Sequence, residues 1–176
     1  MEKPKMRAVL AGGRVLAEPS DAARTLHSAS GYGSLLPDGR LQLSLVEALY
    51  LLEKGKLELL KGKKVVDFEA ALKVAEKAEP NIWIRYTVLK ELRNRGYIVK
   101  TALKFGADFR VYERGVRPGE AHARWIVYPV REAESLTWYD FAAKNRVAHS
   151  TKKRLVIGIV DDEGDVTFYE IRWLRP

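Results

Sequence analysis

KRLVIGIVDDEGDVTFYEIRW, residues 153–173, decides the fold of the second half of this chain. Leu155–Val160 is an apolar, β-branched run broken only by Gly158, the pattern of a strand covered on both faces. The polar turn DDEGD (residues 161–165) then leads into an alternating strand, VTFYEIRW. A doubly covered strand needs partners, and they lie upstream. YIVKTALKF (97–105), DFRVYERG (108–115) and ARWIVYPV (123–130) read as strands. NIWIRYTVLKELRNRG (81–96) reads as a helix closed by Gly96, with Arg85, Lys90, Arg93 and Arg95 expected on a basic outer face. TWYDFAAKN (137–145) reads as a short helix that Thr137 caps. The order of these elements has no strict βαβ repeat and predicts a mixed sheet flanked by helices.

The first half has its own signals. MRAVLAGGRVLAEP (6–19) is a hairpin around Gly12-Gly13, and SGYGSLLPDGR (30–40) a loop. LSLVEALYLLEKG (43–55) is a helix with a Ser44–Glu47 capping box, a stop at Gly55, and Leu45, Leu49 and Leu52 on its core face. KLELLKGKKV (56–65) is a strand with a turn at Lys61-Gly62. DFEAALKVAEKAE (67–79) is a helix capped by Asp67 and interrupted at Pro80. The expected fold is therefore α/β in the α+β sense. Residues 1–80 form a small N-terminal mixed α/β domain, and residues 81–176 a C-terminal mixed-sheet domain flanked by helices.

Composition narrows the function. The 176 residues contain no cysteine, which excludes disulfides, thiolate catalysis and cysteine-ligated zinc. Three scattered histidines argue against a histidine metal site. No apolar stretch reaches the roughly 20 residues of a membrane span, and MEKPKMRAVL lacks the apolar core of a secretory signal, so a cytoplasmic location is expected. The net charge of +8 divides as +2 over residues 1–80 and +6 over residues 81–176. Such an excess suits a polyanion held through its phosphates, and equally an ordinary solvated basic surface.

YERGVRPGEAH (112–122) sets a tyrosine and a histidine ten residues apart across a basic turn. Period-2 alternation puts Phe109 and Val111 on one face of their strand and Asp108, Arg110, Tyr112 and Arg114 on the other. Tyr112 is thus expected in polar, cationic company. Lys152 and Lys153 stand just before the buried strand. Tyr, His and Lys suit cleavage of RNA by its own 2′-hydroxyl: one group takes the 2′-OH proton, one protonates the leaving 5′-oxygen, and a cation holds the charge that builds on phosphate. Tyrosine, with an ordinary pKa of about 10, needs cations such as Arg110 and Arg114 to act as a base. Each residue has a plain alternative: Tyr112 as packing, His122 as a solvated loop residue, the lysines as a charged strand entry. His27 and His149 are assigned to structure. A metal site on Asp108 and Glu113 is disfavoured, since the two alternate to opposite strand faces.

A resemblance weighs between these alternatives. SLVEALYLLEKG (44–55), YTVLKELRNRGYIVKTALKFGADFRVYERG (86–115) and RVAHSTKKRLVIGIVDDEGDVTFYEIRWLRP (146–176) together resemble the archaeal tRNA-splicing (tRNA-intron) endonucleases, most densely over residues 83–176. The resemblance implies Tyr112 as general base, His122 as general acid and Lys153 as transition-state stabiliser. It implies Arg146 and Trp173 as a sandwich for a bulged base, whose stacking is worth roughly 1–3 kcal/mol. Sheet packing is the other reading of Trp173. It further implies that Asp161, Glu163 and Asp165 dock into a basic pocket of an opposing subunit. The implied substrate is precursor tRNA folded as a bulge–helix–bulge, cut at two sites to leave 2′,3′-cyclic phosphate and 5′-hydroxyl ends, with no metal and no cofactor. A homotetramer, a dimer of dimers, is expected because one chain carries both the triad and the acidic loop. The alternatives are a heterotetramer with a second subunit, and a non-catalytic RNA-binding or assembly subunit.

Overall fold

Gly12 and Gly13, at φ 56° and 76°, fold β1 (Met6–Ala11) back on β2 (Arg14–Ala17), the hairpin expected there. The computed structural model describes residues 5–102 and 106–176, and the chain divides into two compact units, residues 1–86 and 87–176. In the first unit α1 (Asp21–Ser30) follows. Ser20 Oγ accepts the N–H of Ala23 at 3.1 Å, and Gly31, at φ 67°, ends the helix. This helix is missing from the sequence reading, because only Ala23 of it is buried and its apolar stripe is thin.

The expected loop over residues 30–40 also needs correction. It contains the short strand β3 (Ser34–Leu35), which pairs with β4 (Leu41–Leu43). α2 (Leu45–Glu53), β5 (Leu57–Lys61), β6 (Lys64–Val66) and α3 (Phe68–Ala78) complete the unit. The Ser44–Glu47 capping box and the Asp67 cap are both formed as expected. α2 is buried on every side from Leu45 to Leu51, whereas Leu52 is half-buried. Glu47, only 4% exposed, accepts from Gly33 N–H (3.0 Å), Ser44 N–H (2.9 Å) and Ser44 Oγ (2.8 Å). Three donors offset the cost of burying its charge. A side chain at Gly33 would put Cβ 2.5 Å from the Gln42 carbonyl, at φ 61°, so this contact requires glycine. The sheet runs β3-β4-β2-β1-β5-β6, with β1 and β5 parallel and every other pair antiparallel.

α4 (Ile82–Asn94) leads into the second unit, and Gly96, at φ 88°, stands just past its end. Its basic outer face is only partly present. Arg95 is exposed, but Arg93 is buried at 9% and donates from Nη2 to the Val99 carbonyl at 2.9 Å, while Arg85 pairs with Glu79. β7 (Ile98–Thr101), β8 (Phe109–Tyr112), β9 (Trp125–Arg131), α5 (Trp138–Ser150), β10 (Arg154–Val160) and β11 (Val166–Ile171) follow. The tail of the expected strand 97–105, residues 103–105, lies outside the described residues. The sheet order is β11-β10-β9-β8-β7, with β9 and β10 parallel across the α5 crossover and the other pairs antiparallel. This is the mixed sheet that the sequence pattern predicts.

β10 lies inside the sheet. Leu155 and Ile157 join Ile126, Tyr128 and Ala148 in one cluster on the α5 side. On the other side a Cβ at Gly158 would stand 3.2 Å from both Val88 and Phe168, which explains the one glycine in the apolar run. α5 is longer than the helix expected over residues 137–145. Thr137 does cap it, in a box with Asp140, but it continues through Arg146 and His149 to Ser150.

Candidate active site

Strand register brings distant residues to one end of the second sheet. Trp125 pairs with Val111 on one side and with Arg154 on the other. One step further, Tyr112, Arg124 and Lys153 share a row, and hydrogen bonds from Arg124 N–H to the Val111 carbonyl and from Arg154 N–H to the Arg124 carbonyl continue the ladder there. The β10–β11 ladder ends at the Leu155–Ile171 pair, and Lys153 and Trp173 each lie two residues past it. Adjacent strands lie about 4.8 Å apart, which separates the Tyr112 and Lys153 positions by about 10 Å. His122 precedes Arg124 by two residues, on the approach to β9.

Tyr112 is 5% exposed, not on an open polar face as expected. β8 is an interior strand between β7 and β9, and alternation separates wet from dry only where one face meets water. Arg114, expected to assist Tyr112, stacks its guanidinium over the Tyr97 ring at 4.8 Å. His122 is exposed beyond a loop held by the Pro118–Ala121 bridge and by Glu120, which accepts the Arg117 N–H at 3.2 Å.

Lys153 owes its place to the end of α5. Lys152 takes φ 55°, its N–H donates to the His149 carbonyl (3.1 Å), and the Lys153 N–H donates to the Ala148 carbonyl (2.9 Å). This double closure reverses the chain from helix into β10. The Lys153 ammonium donates to the Thr151 carbonyl at 3.1 Å, at the negative end of the helix.

Two cavities share walls beside Lys153. One, of about 680 Å³, is lined by Phe141, Arg146, His149, Ile171, Trp173 and Leu174. The other, of about 240 Å³, is lined by Asn145, His149, Lys153, Arg154 and Trp173 among others. The structure therefore brings Arg146, Trp173 and Lys153 together around adjoining spaces. Trp173 is 60% exposed, with its ring 5.1 Å from that of His149, and Arg146 lies 5.9 Å from the Tyr139 ring. His149, assigned to structure in the sequence reading, stands exposed on both cavity walls, and Asn145 joins it. Their i, i+4 spacing is the signal that could have found them, once α5 is extended to Ser150.

Charge around the site is organised. Glu170 accepts from Arg172 (2.8 Å), Trp125 Nε1 (3.1 Å) and Arg154 (3.3 Å), and the Arg172 hydrogen bond is the first cause holding its carboxyl below the usual range. Burial, then the Asp108 charge, pushes the Tyr128 phenol up to about 12, and it donates to the Gly106 carbonyl at 3.1 Å. Glu113 is paired with Arg124, and among the described residues no group of three or more His, Asp or Glu could hold a metal ion. In the 161–165 turn Asp161 Oδ1 accepts the N–H groups of Glu163 and Asp165, each at 2.9 Å, while Glu163 and Asp165 are exposed. No helix among the described residues is long and apolar enough to cross a membrane.

Comparison with known proteins follows this division. The chain matches the tRNA intron endonuclease catalytic C-terminal domain over residues 82–168 and the tRNA intron endonuclease N-terminal domain over residues 6–72. It is similar to the tRNA-splicing endonuclease of Methanothermobacter thermautotrophicus, 44% identical over 162 residues, 92% of this chain and 94% of that one. The tRNA-splicing endonuclease of Pyrococcus furiosus is 43% identical over 166 residues, 94% of this chain and 95% of that one. The tRNA-splicing endonuclease of Nanoarchaeum equitans is 47% identical over 141 residues, 77% of this chain and 90% of that one.

Proposed function

This chain belongs to the tRNA intron endonuclease family and carries its catalytic domain, and we propose that it excises introns from precursor tRNA by cutting a bulge–helix–bulge fold at two sites. Residues 81–176 carry the chemistry and residues 1–80 form the accompanying domain. The observation that carries this reading is that Tyr112 and Lys153 meet in one row at a sheet end, two residues from His122 along the chain through Arg124, with Lys153 and Trp173 lining one cavity.

Tyr112 takes the proton of the 2′-hydroxyl, and the freed oxygen attacks the adjacent phosphorus. The P–O5′ bond breaks, His122 delivers a proton to the departing 5′-oxygen, and Lys153 stabilises the negative charge on the phosphate oxygens. Products are a 2′,3′-cyclic phosphate and a 5′-hydroxyl. Atoms and protons balance among these groups, and this reading assigns no step to a metal or cofactor. Arg146 and Trp173 hold a base that has left the stack, at the mouth of the 680 Å³ cavity. Asp161 braces its own turn and leaves Glu163 and Asp165 free to dock on an opposing copy, which favours a cytoplasmic homotetramer, a dimer of dimers. Replacing His122 by Ala lowers the single-turnover cleavage rate by about 10²–10⁴-fold while affinity for the RNA stays within about twofold. A strong loss of binding with little loss of rate would contradict the acid role.

A further inference from the structure

Residues 1–80 are nearly neutral, with 13 Lys and Arg against 11 Asp and Glu. Their cations are not evenly spread. The parallel β1–β5 ladder pairs Val9 with Leu60, so the β1–β2 turn and the β5–β6 turn fall side by side at one end of the first sheet. Arg14 stands opposite Ala11, and Lys64 opposite Lys61, with Lys63 between the last two. All four cations are exposed, and none takes part in an ion pair among the described residues. Nearby acids are elsewhere: Glu58 pairs with Arg7, and Asp67 caps α3 beyond the far end of β6.

The strand order β2-β1-β5-β6 makes this a row about 14 Å long, three strand spacings. A nucleic-acid duplex presents a phosphate charge about every 1.7 Å of its axis, so such a row faces several phosphates at once. Open space surrounds Gly12, Gly13 and Gly62, where no side chain blocks a close approach. The turns hold no aromatic residue on which a base could stack, which selects backbone contact over base reading. Every residue of both turns, 11–14 and 61–64, is exposed. An acidic protein loop is better received by a concave seat.

We propose that the turns Ala11–Arg14 and Lys61–Lys64 form a second RNA-binding surface that grips the phosphate backbone of the substrate outside the segment that is cut. This rests on the reading above that the substrate is a folded precursor RNA.

The test replaces Arg14, Lys61, Lys63 and Lys64 by Gln in the full chain. Binding to a full-length precursor tRNA and to a minimal bulge–helix–bulge RNA is followed between about 50 and 200 mM salt. For the long RNA, affinity falls roughly 5- to 50-fold and the slope of log K against log salt becomes shallower by about 2–4. Cleavage of the minimal RNA keeps its kcat. An unchanged slope overturns the proposal. So does a fall in particle mass by light scattering, which would make the turns a seat for an acidic surface of another copy. Two double variants, Arg14→Gln with Lys61→Gln and Lys63→Gln with Lys64→Gln, each give about half the slope change and serve where the quadruple variant melts early. Binding is read without cleavage. Wild-type protein that binds with the steep slope but cuts nothing therefore removes the splicing reading and leaves this surface standing.

Discussion

Lys153 and Trp173 line one cavity of about 240 Å³, from the ends of the paired strands β10 and β11. The cavity lined by Arg146 adjoins it and shares His149 and Trp173 as walls. On the proposed function, a cation for phosphate and a ring for a base would then face adjoining spaces.

Trp173 is too exposed to be a major packing residue. Replacing it by Ala weakens binding of a bulged RNA by about 1–3 kcal/mol, whereas Phe retains most of the affinity. The melting temperature changes little in both variants. A large drop in melting temperature with unchanged RNA affinity would make Trp173 a structural residue instead.

Lys152 holds a left-handed backbone, φ 55°, at a helix end where glycine is at ease. Lys152→Gly therefore stabilises the fold by roughly 0.5–1 kcal/mol, a rise of about 1–4 °C in melting temperature. Thermal melts followed by circular dichroism measure it. A lower melting temperature would show that the lysine side chain contributes more than its backbone costs.

Glu170 gathers Arg172, Trp125 and Arg154, and the Arg172 hydrogen bond first of all holds its carboxyl below the usual carboxylate range. A depressed carboxyl contributes stability that is full above its unfolded pKa and is lost as pH falls through the folded value. The stability difference between wild type and Glu170→Gln is thus constant above about pH 5 and shrinks progressively below it. Denaturant melts across pH test this. A difference that grows on acidification would reverse the sign.

Much of this architecture was legible because its signals are local. The Ser44–Glu47 box, the Asp67 cap and the Gly12-Gly13 turn each involve neighbours within a few residues. What was missed depends on tertiary surroundings. Tyr112 is only 5% exposed although alternation puts it with the polar residues of its strand, because cover over a sheet face comes from elements that no alternation pattern contains. Arg93 is buried because the Val99 carbonyl is within its reach. α1 has caps at both ends, Ser20 and Gly31, but too few apolar residues to stand out. The helical stretch from Arg146 to His149 was hidden because polar and apolar residues are mixed all round α5, so its end is not marked by periodicity. For the proposed triad Tyr112, His122 and Lys153, spacing alone left alternatives open. Resemblance chose among them, and strand register places two of its members in one row.

The acidic turn gives a prediction about assembly. Asp161 accepts two backbone N–H groups, so Asp161→Lys disturbs the turn itself, whereas Glu163→Lys with Asp165→Lys alters only exposed charge. The second pair lowers the particle mass measured by light scattering without lowering the melting temperature of the subunit. An unchanged mass would remove the docking role from this loop.

The most direct test is cleavage of an end-labelled bulge–helix–bulge RNA by this chain alone, in excess EDTA, with the product ends identified. Two cuts are expected, each leaving a 2′,3′-cyclic phosphate and a 5′-hydroxyl. Activity that vanishes in EDTA and returns with Mg²⁺ would contradict that expectation.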